Sequence, residues 1–186
     1  MILYIHGFRT TYDSFIATLL KKNFENELIS SDHSHEPLVA IKQLEEIIKQ
    51  YDIRGIIASS LGGYYATYLG SKYNLKTILI NPSVNPHKTT IEFIGQIKKH
   101  DDTTFEWTEN HLKELSELWV EKLNPDNFYI FLKRGDQILD YKIAKDRYKN
   151  SQQLIEDNGD HRFSDIQNHI DKIKLFLTSK EKKNLY

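Results

Sequence analysis

Ser60 stands in the stretch Ile56 to Leu69, IIASSLGGYYATYL, with the small residues Ala58 and Gly62 two places before and two places after it. That is the small-x-Ser-x-Gly spacing of a nucleophile elbow, a sharp turn from strand to helix. Strand and helix backbones nearly touch at such a turn, which leaves little room for a Cβ substituent on either side. The small residues at 58 and 62 therefore select Ser60 over Ser59, for which Leu61 would fill the crowded place. The turn strains the serine backbone and holds its hydroxyl at the helix N-terminus. Orphan N–H groups and the positive end of the helix dipole favour a developing oxyanion there.

A serine hydroxyl is a poor nucleophile near neutral pH and needs a base to take its proton and an acid to orient that base. In chain order after an elbow these come as Asp or Glu and then His. His161 lies in a Gly-Asp-His loop after the last predicted strand, where an imidazole can reach over the sheet edge, whereas His169 falls inside the final helix. For the acid, Asp136 follows the preceding strand at once and is preferred. Asp140 reads as the N-cap of the next helix, and Asp160, adjacent to the base, is poorly placed to face it. Two oxyanion donors are expected: the backbone N–H of Leu61, next after the nucleophile, and that of Phe8, in the His-Gly-Phe turn after the first strand. Gly7 permits the close approach this turn requires. His6 is read as orienting the turn, without a part in proton transfer.

These residues need elements to carry them. Short apolar runs at 2–5, 54–58, 76–80 and 128–132, with weaker ones at 27–30 and 152–156, read as strands. Helical spacing of apolar residues covers about 14–26, 37–50, 61–73, 140–149 and 164–177. Alternation of this kind predicts a parallel sheet with right-handed crossovers, helices on both faces, and a site built from loops at the carboxyl ends of the strands. Between Pro82 and Asp126 the alternation breaks. Ile91, Ile94 and Ile97, then Leu112, Leu115, Leu118 and Trp119, suggest two helices, the second starting at Thr108. An insertion there, at about 83–125, is placed to act as a helical lid. Residues 1–186 are read as a single domain, with a charged, frayed tail, SKEKKNLY.

Composition narrows the class. A formal net charge of -1 with 12% aromatic content gives no footprint for nucleic acid. The chain has no cysteine, hence no disulfide, thiol nucleophile or Cys-ligated zinc. No apolar run is long enough to span a membrane, and the absence of a signal-type start points to the cytoplasm. Asp32-His33-Ser34-His35-Glu36 has the residue types of a metal site but no identifiable third ligand, and is read as a solvated mouth loop. No cofactor and no metal are expected.

The motifs YIHGF, ASSLGGYYATYL, the Asn-Pro after the next strand, GDQILDY and GDHRF, in that order and with the F-x-W-T-x-x-H stretch of the insertion, resemble the small bacterial YqiA-type esterases. These form a compact branch of the α/β-hydrolase superfamily, and the likeness spans almost the whole chain. It implies a carboxylic-ester hydrolase, with thioesters as possible substrates, using Ser60, Asp136 and His161. It also implies a six-stranded parallel sheet in the order 2-1-3-4-5-6 and a small acyl ester as the partner molecule. The chain departs from the pattern at Ala58, where the elbow usually begins with Gly, and before His161, where the pattern often runs Gly-Gly-Asn-His. A non-catalytic binding protein that keeps the elbow as a structural turn is the rival reading; transfer to an acceptor other than water, perhydrolysis included, is the rival within enzymes.

Overall fold

The structure, a computed structural model, describes residues 1–179. In chain order it comprises β1 (Ile2–Ile5), α1 (Phe15–Phe24), β2 (Leu28–Ser30), α2 (Pro37–Gln50), β3 (Gly55–Ser59), α3 (Leu61–Tyr73), β4 (Lys76–Ile80), α4 (Pro86–Thr89), β5 (Gly95–Lys98), β6 (Thr104–Trp107), α5 (Glu109–Glu117), β7 (Phe128–Lys133), α6 (Tyr141–Arg147), β8 (Gln152–Glu156) and α7 (Ile170–Thr178). Ser14 caps α1 by accepting from the Ala17 N–H, Pro37 opens α2, and Asp140 caps α6 through the Lys142 N–H. The expectation for the tail falls outside the described residues except for Ser179.

Six strands pair in parallel in the order β2-β1-β3-β4-β7-β8. Counted among themselves, the sheet strands follow the expected 2-1-3-4-5-6. The order differs only in that two strands outside the sheet, β5 and β6, intervene in the chain. Alternate residues along each strand feed two cores. Ile2, Tyr4, Ile57, Ile78 and Phe131 pack beneath α1 and α7, while Leu3, Ile5, Ile56, Leu79 and Ile130 pack beneath α2, α3 and α6. All of the sheet strands therefore aim their carboxyl ends at one edge.

The first half of the insertion is not the expected helix. After the single turn of α4 and a 3-10 turn at Ile91–Phe93, Ile97 lies in a strand of the antiparallel hairpin β5–β6, paired with Phe105. The alternation of Thr104, Phe105, Glu106 and Trp107 puts Phe105 and Trp107 on the inner face, and Gly95 at φ 125° begins the hairpin. The second expected helix is α5, entered at Thr108, whose backbone N–H donates to His111 Nδ1 at 3.2 Å. Ile97, Phe105, Trp107, Leu115 and Leu118 all join the core on the α2–α3 face.

Candidate active site

Ser60 connects β3 to α3 with φ 52° and ψ -125°, a conformation that costs a non-glycine residue on the order of 1–3 kcal/mol. The surroundings fix it: the Ser60 N–H donates to Ile80 O (3.1 Å), and its carbonyl accepts from Gly63 N (3.0 Å) and Ser83 N (2.9 Å). The crowding behind the elbow spacing is literal at Gly62, where a Cβ would lie 2.4 Å from the carbonyl oxygens of both Ile5 and His6. Ser59 is committed elsewhere, its Oγ 3.0 Å from Tyr4 Oη.

Ser60, His161 and Asp136 meet at the carboxyl edge of the sheet. His161 Nε2 is 3.0 Å from Ser60 Oγ, and His161 Nδ1 is 2.7 Å from Asp136 Oδ2. A carboxylate oxygen only accepts, so Nδ1 carries the proton and Nε2 offers its lone pair to the serine hydroxyl. The other Asp136 oxygen accepts from the N–H groups of Ile138 (2.8 Å) and Leu139 (2.9 Å), and this side chain is 2% exposed. Asp140 faces its own helix as a cap, Asp160 bonds Ser164, and His169 is buried under Phe131 and Phe163. The structure thus brings together the favoured members of each set and leaves out the others.

Phe8 follows Gly7, at which a Cβ would lie 2.9 Å from Ser60 Cβ, so the turn after β1 runs directly against the serine. Among the described residues nothing accepts a hydrogen bond from the Phe8 N–H, and Leu61, as the first residue of α3, has an N–H without an intrahelical acceptor. Phe8 and Leu61 are among the residues lining a cavity of about 20 Å³ beside His6, Tyr65 and Phe105. The Phe8 ring is held by Phe93, Phe105 and Trp107, with centroids 5.7, 5.6 and 4.9 Å away.

His6 Nδ1 donates to the Gly7 carbonyl (2.9 Å), which matches its expected role in the turn. The 32–36 loop is less solvated than expected: His33 is buried, its ring stacked on His6 at 4.0 Å, and His35 lies against Phe105. Burial is the foremost cause that lowers the pKa of His6 and His35 and carries that of His33 well below the ordinary histidine value. All three are therefore neutral near pH 7. The ring contacts, invisible as spacing in the chain, turn this loop into a wall. Among the described residues, Glu156, Asp165 and His169 have ligand atoms close enough for a metal, but both carboxylates already hold the Lys133 ammonium.

Sequence reasoning missed several supports of this site. Gly135 and Gly159 let the Asp136 loop and the His161 loop touch, since a Cβ on Gly135 would lie 2.3 Å from Gly159 O. Asn81, at the end of β4, bonds the backbone of the His161 loop. The glycines before Asp136 and before Asp160 were the available signal.

The family model for an uncharacterised protein family, UPF0227, matches residues 1–178. A member from Pectobacterium atrosepticum is 25% identical over 187 residues, covering 96% of this chain and 99% of its own. One from Vibrio vulnificus strain CMCP6 is 24% identical over 185 residues, covering 95% and 98%. Among solved structures, alpha/beta hydrolase domain-containing protein 10 from mouse superposes with TM-score 0.73 at 15% identity, covering 93% of this chain and 87% of that one. The ydeN gene product of B. subtilis gives 0.65 at 14%, covering 96% and 98%, and an esterase from Pyrococcus furiosus gives 0.60 at 13%, covering 95% and 80%. The chain has the α/β-hydrolase fold.

Proposed function

The chain belongs to the UPF0227 family, and from that premise we propose that it is a serine hydrolase of carboxylic esters, thioesters included. The observation that carries the reading is the unbroken hydrogen-bonded series from Asp136 through His161 to Ser60, beside two unpaired backbone N–H groups. Hydrolases and esterases among the similar folds support it.

In the proposed reaction Ser60 Oγ attacks the ester carbonyl carbon while His161 Nε2 takes the hydroxyl proton. The tetrahedral oxyanion accepts from the N–H groups of Phe8 and Leu61; in general, loss of one such donor costs about 2.7–4 kcal/mol of transition-state stabilisation. Collapse breaks the bond to the leaving alcohol or thiol, which takes the proton from His161 and leaves an acyl-Ser60 ester. Water, deprotonated by His161, then attacks this ester, and the acid departs as Ser60 recovers its proton. Asp136 holds the imidazole in its productive tautomer and stabilises the imidazolium. The inner side of the insertion belongs to the hydrophobic core. We therefore assign it the part of a fixed wall beside Phe8, in place of a lid that swings. A cytoplasmic setting is part of the proposal, in keeping with the absence of cysteine. Among the described residues no helix is long and apolar enough to cross a membrane.

A serine-reactive fluorophosphonate tests the reading. Mass spectrometry of the folded protein is expected to find one adduct, on Ser60, with loss of p-nitrophenyl acetate hydrolysis. Folded protein without that adduct would favour the non-catalytic binding protein instead.

A further inference from the structure

His161 belongs to the loop after β8, whereas Ser60 stands at the end of β3. Three neighbouring-strand spacings, about 14 Å at ~4.8 Å each, separate those strands in the sheet. An imidazole cannot bridge that distance, so the loop itself must lie back across the ends of β7 and β4. Asn81 is the side chain on which it rests. Its Nδ2 donates to both Asp160 O (3.0 Å) and His161 O (3.2 Å), while its Oδ1 accepts from the Lys133 N–H (2.9 Å) at the end of β7. Asn81 is 2% exposed, its own N–H donates to Phe131 O (2.8 Å), and its φ is 40°. We infer that Asn81 is a positioning residue for His161, fixing the base loop over the sheet edge so that the imidazole stands between Asp136 and Ser60.

The chemistry of the side chain explains why asparagine is required. One planar amide supplies an acceptor and two donor hydrogens on opposite sides, and asparagine tolerates positive φ better than most residues. Aspartate would keep the acceptor but turn a carboxylate oxygen toward two carbonyl oxygens. The mechanism assigns Asn81 no contact with substrate, and its effect passes entirely through the backbone of residues 160 and 161.

The kinetic half of this inference rests on the hydrolase reading; the geometric half does not. The experiment uses the full chain with Asn81→Asp, and with Asn81→Gly, which accepts the backbone conformation and deletes the amide. Circular dichroism checks folding. The first readout is the low-field proton resonance of the His161 Nδ1–H bonded to Asp136, assigned by its absence in His161→Gln. The second is kcat and KM for p-nitrophenyl acetate. The expected result is loss of the resonance in both variants. With it, kcat should fall on the order of 10- to 100-fold while KM stays within about twofold, the pattern of a misplaced group that acts in the transition state. Folded variants that keep both resonance and kcat would overturn the inference, as would a wild-type protein without the resonance. A wild-type protein that neither labels nor hydrolyses, but whose resonance disappears in the variants, would remove the hydrolase reading and leave the positioning role standing.

Discussion

Asp136 spends both of its carboxylate oxygens, one on the Ile138 and Leu139 N–H groups that close its loop and one on His161 Nδ1. Asp140, only four residues on, spends its side chain on the start of α6. Asp136→Asn preserves volume and the loop contacts but offers an amide to Nδ1, which favours the unproductive tautomer. Steady-state kinetics should show kcat lower by about 10⁴-fold, the scale known for this replacement in a serine triad. Asp140→Asn should leave kcat within about twofold, because asparagine caps a helix as well as aspartate does; the reverse ranking would move the acid assignment. The sequence favoured Asp136 over Asp140 because capping is local chemistry, and it favoured Ser60 over Ser59 because crowding depends on residues two places away. It marked Asn81 only as part of the Asn-Pro after a strand and was silent on its partners. Its side-chain partners lie 52, 79 and 80 positions distant, and nothing short of the strand order brings them near.

The elements divide by how continuous their apolar pattern is in how well they could be read. Long amphipathic helices and continuous apolar strands were visible in the chain, whereas β5 and β6, four residues each, were hidden by the threefold spacing of Ile91, Ile94 and Ile97. The period-two pattern of Thr104 to Trp107 was present but too short to outweigh it. This hairpin matters to the site, since Trp107, 0% exposed, backs the Phe8 ring and so the turn that carries the proposed oxyanion donor. Trp107→Ala should destabilise the fold by about 3–5 kcal/mol, the usual cost of emptying a large aromatic site, as read by urea denaturation. At temperatures where the variant stays folded, kcat should fall more than KM rises, and Trp107→Phe should restore part of it. Unchanged kcat in a folded Trp107→Ala would separate the hairpin from the oxyanion turn.

Across the whole molecule the His161 loop is also tied down by Lys133 at the end of β7. Its side chain is 3% exposed, its ammonium pairs with Glu156 and with Asp165 (2.6 Å), and it lies 4.4 Å from the Phe163 ring centroid. Burial works against the charged form of both Lys133 and Asp165, yet their mutual hydrogen bond and charge prevail, raising the lysine pKa and lowering that of the carboxyl. The Asp165 contribution to stability is present above the unfolded carboxylate pKa and fades as pH falls through the lower folded value. The Lys133 contribution is full below the unfolded lysine pKa and fades as pH rises through the higher folded one. Thermal unfolding should therefore show a plateau in Tm across neutral pH and a fall below about pH 4. The gap in Tm between wild type and Lys133→Met should narrow as pH drops through that range; a constant gap would exclude the ion pair as its source. Fold class was legible because burial patterns repeat strand by strand, whereas the sheet order came only from the family resemblance. A buried lysine reads in the chain as one more surface charge. The wide spacing of the site in the chain bears on biosynthesis. Ser60 and His161 are 101 positions apart, and the His161 loop leaves β8, which pairs with β7. Long-range pairings of this kind close late in folding, because their loop-closure entropy must first be met. On the ribosome, the nascent chain thus carries its elbow serine for some hundred residues without a base. On the hydrolase reading, activated acyl groups around the ribosome meet a competent enzyme only once His161 has been added and its loop has docked.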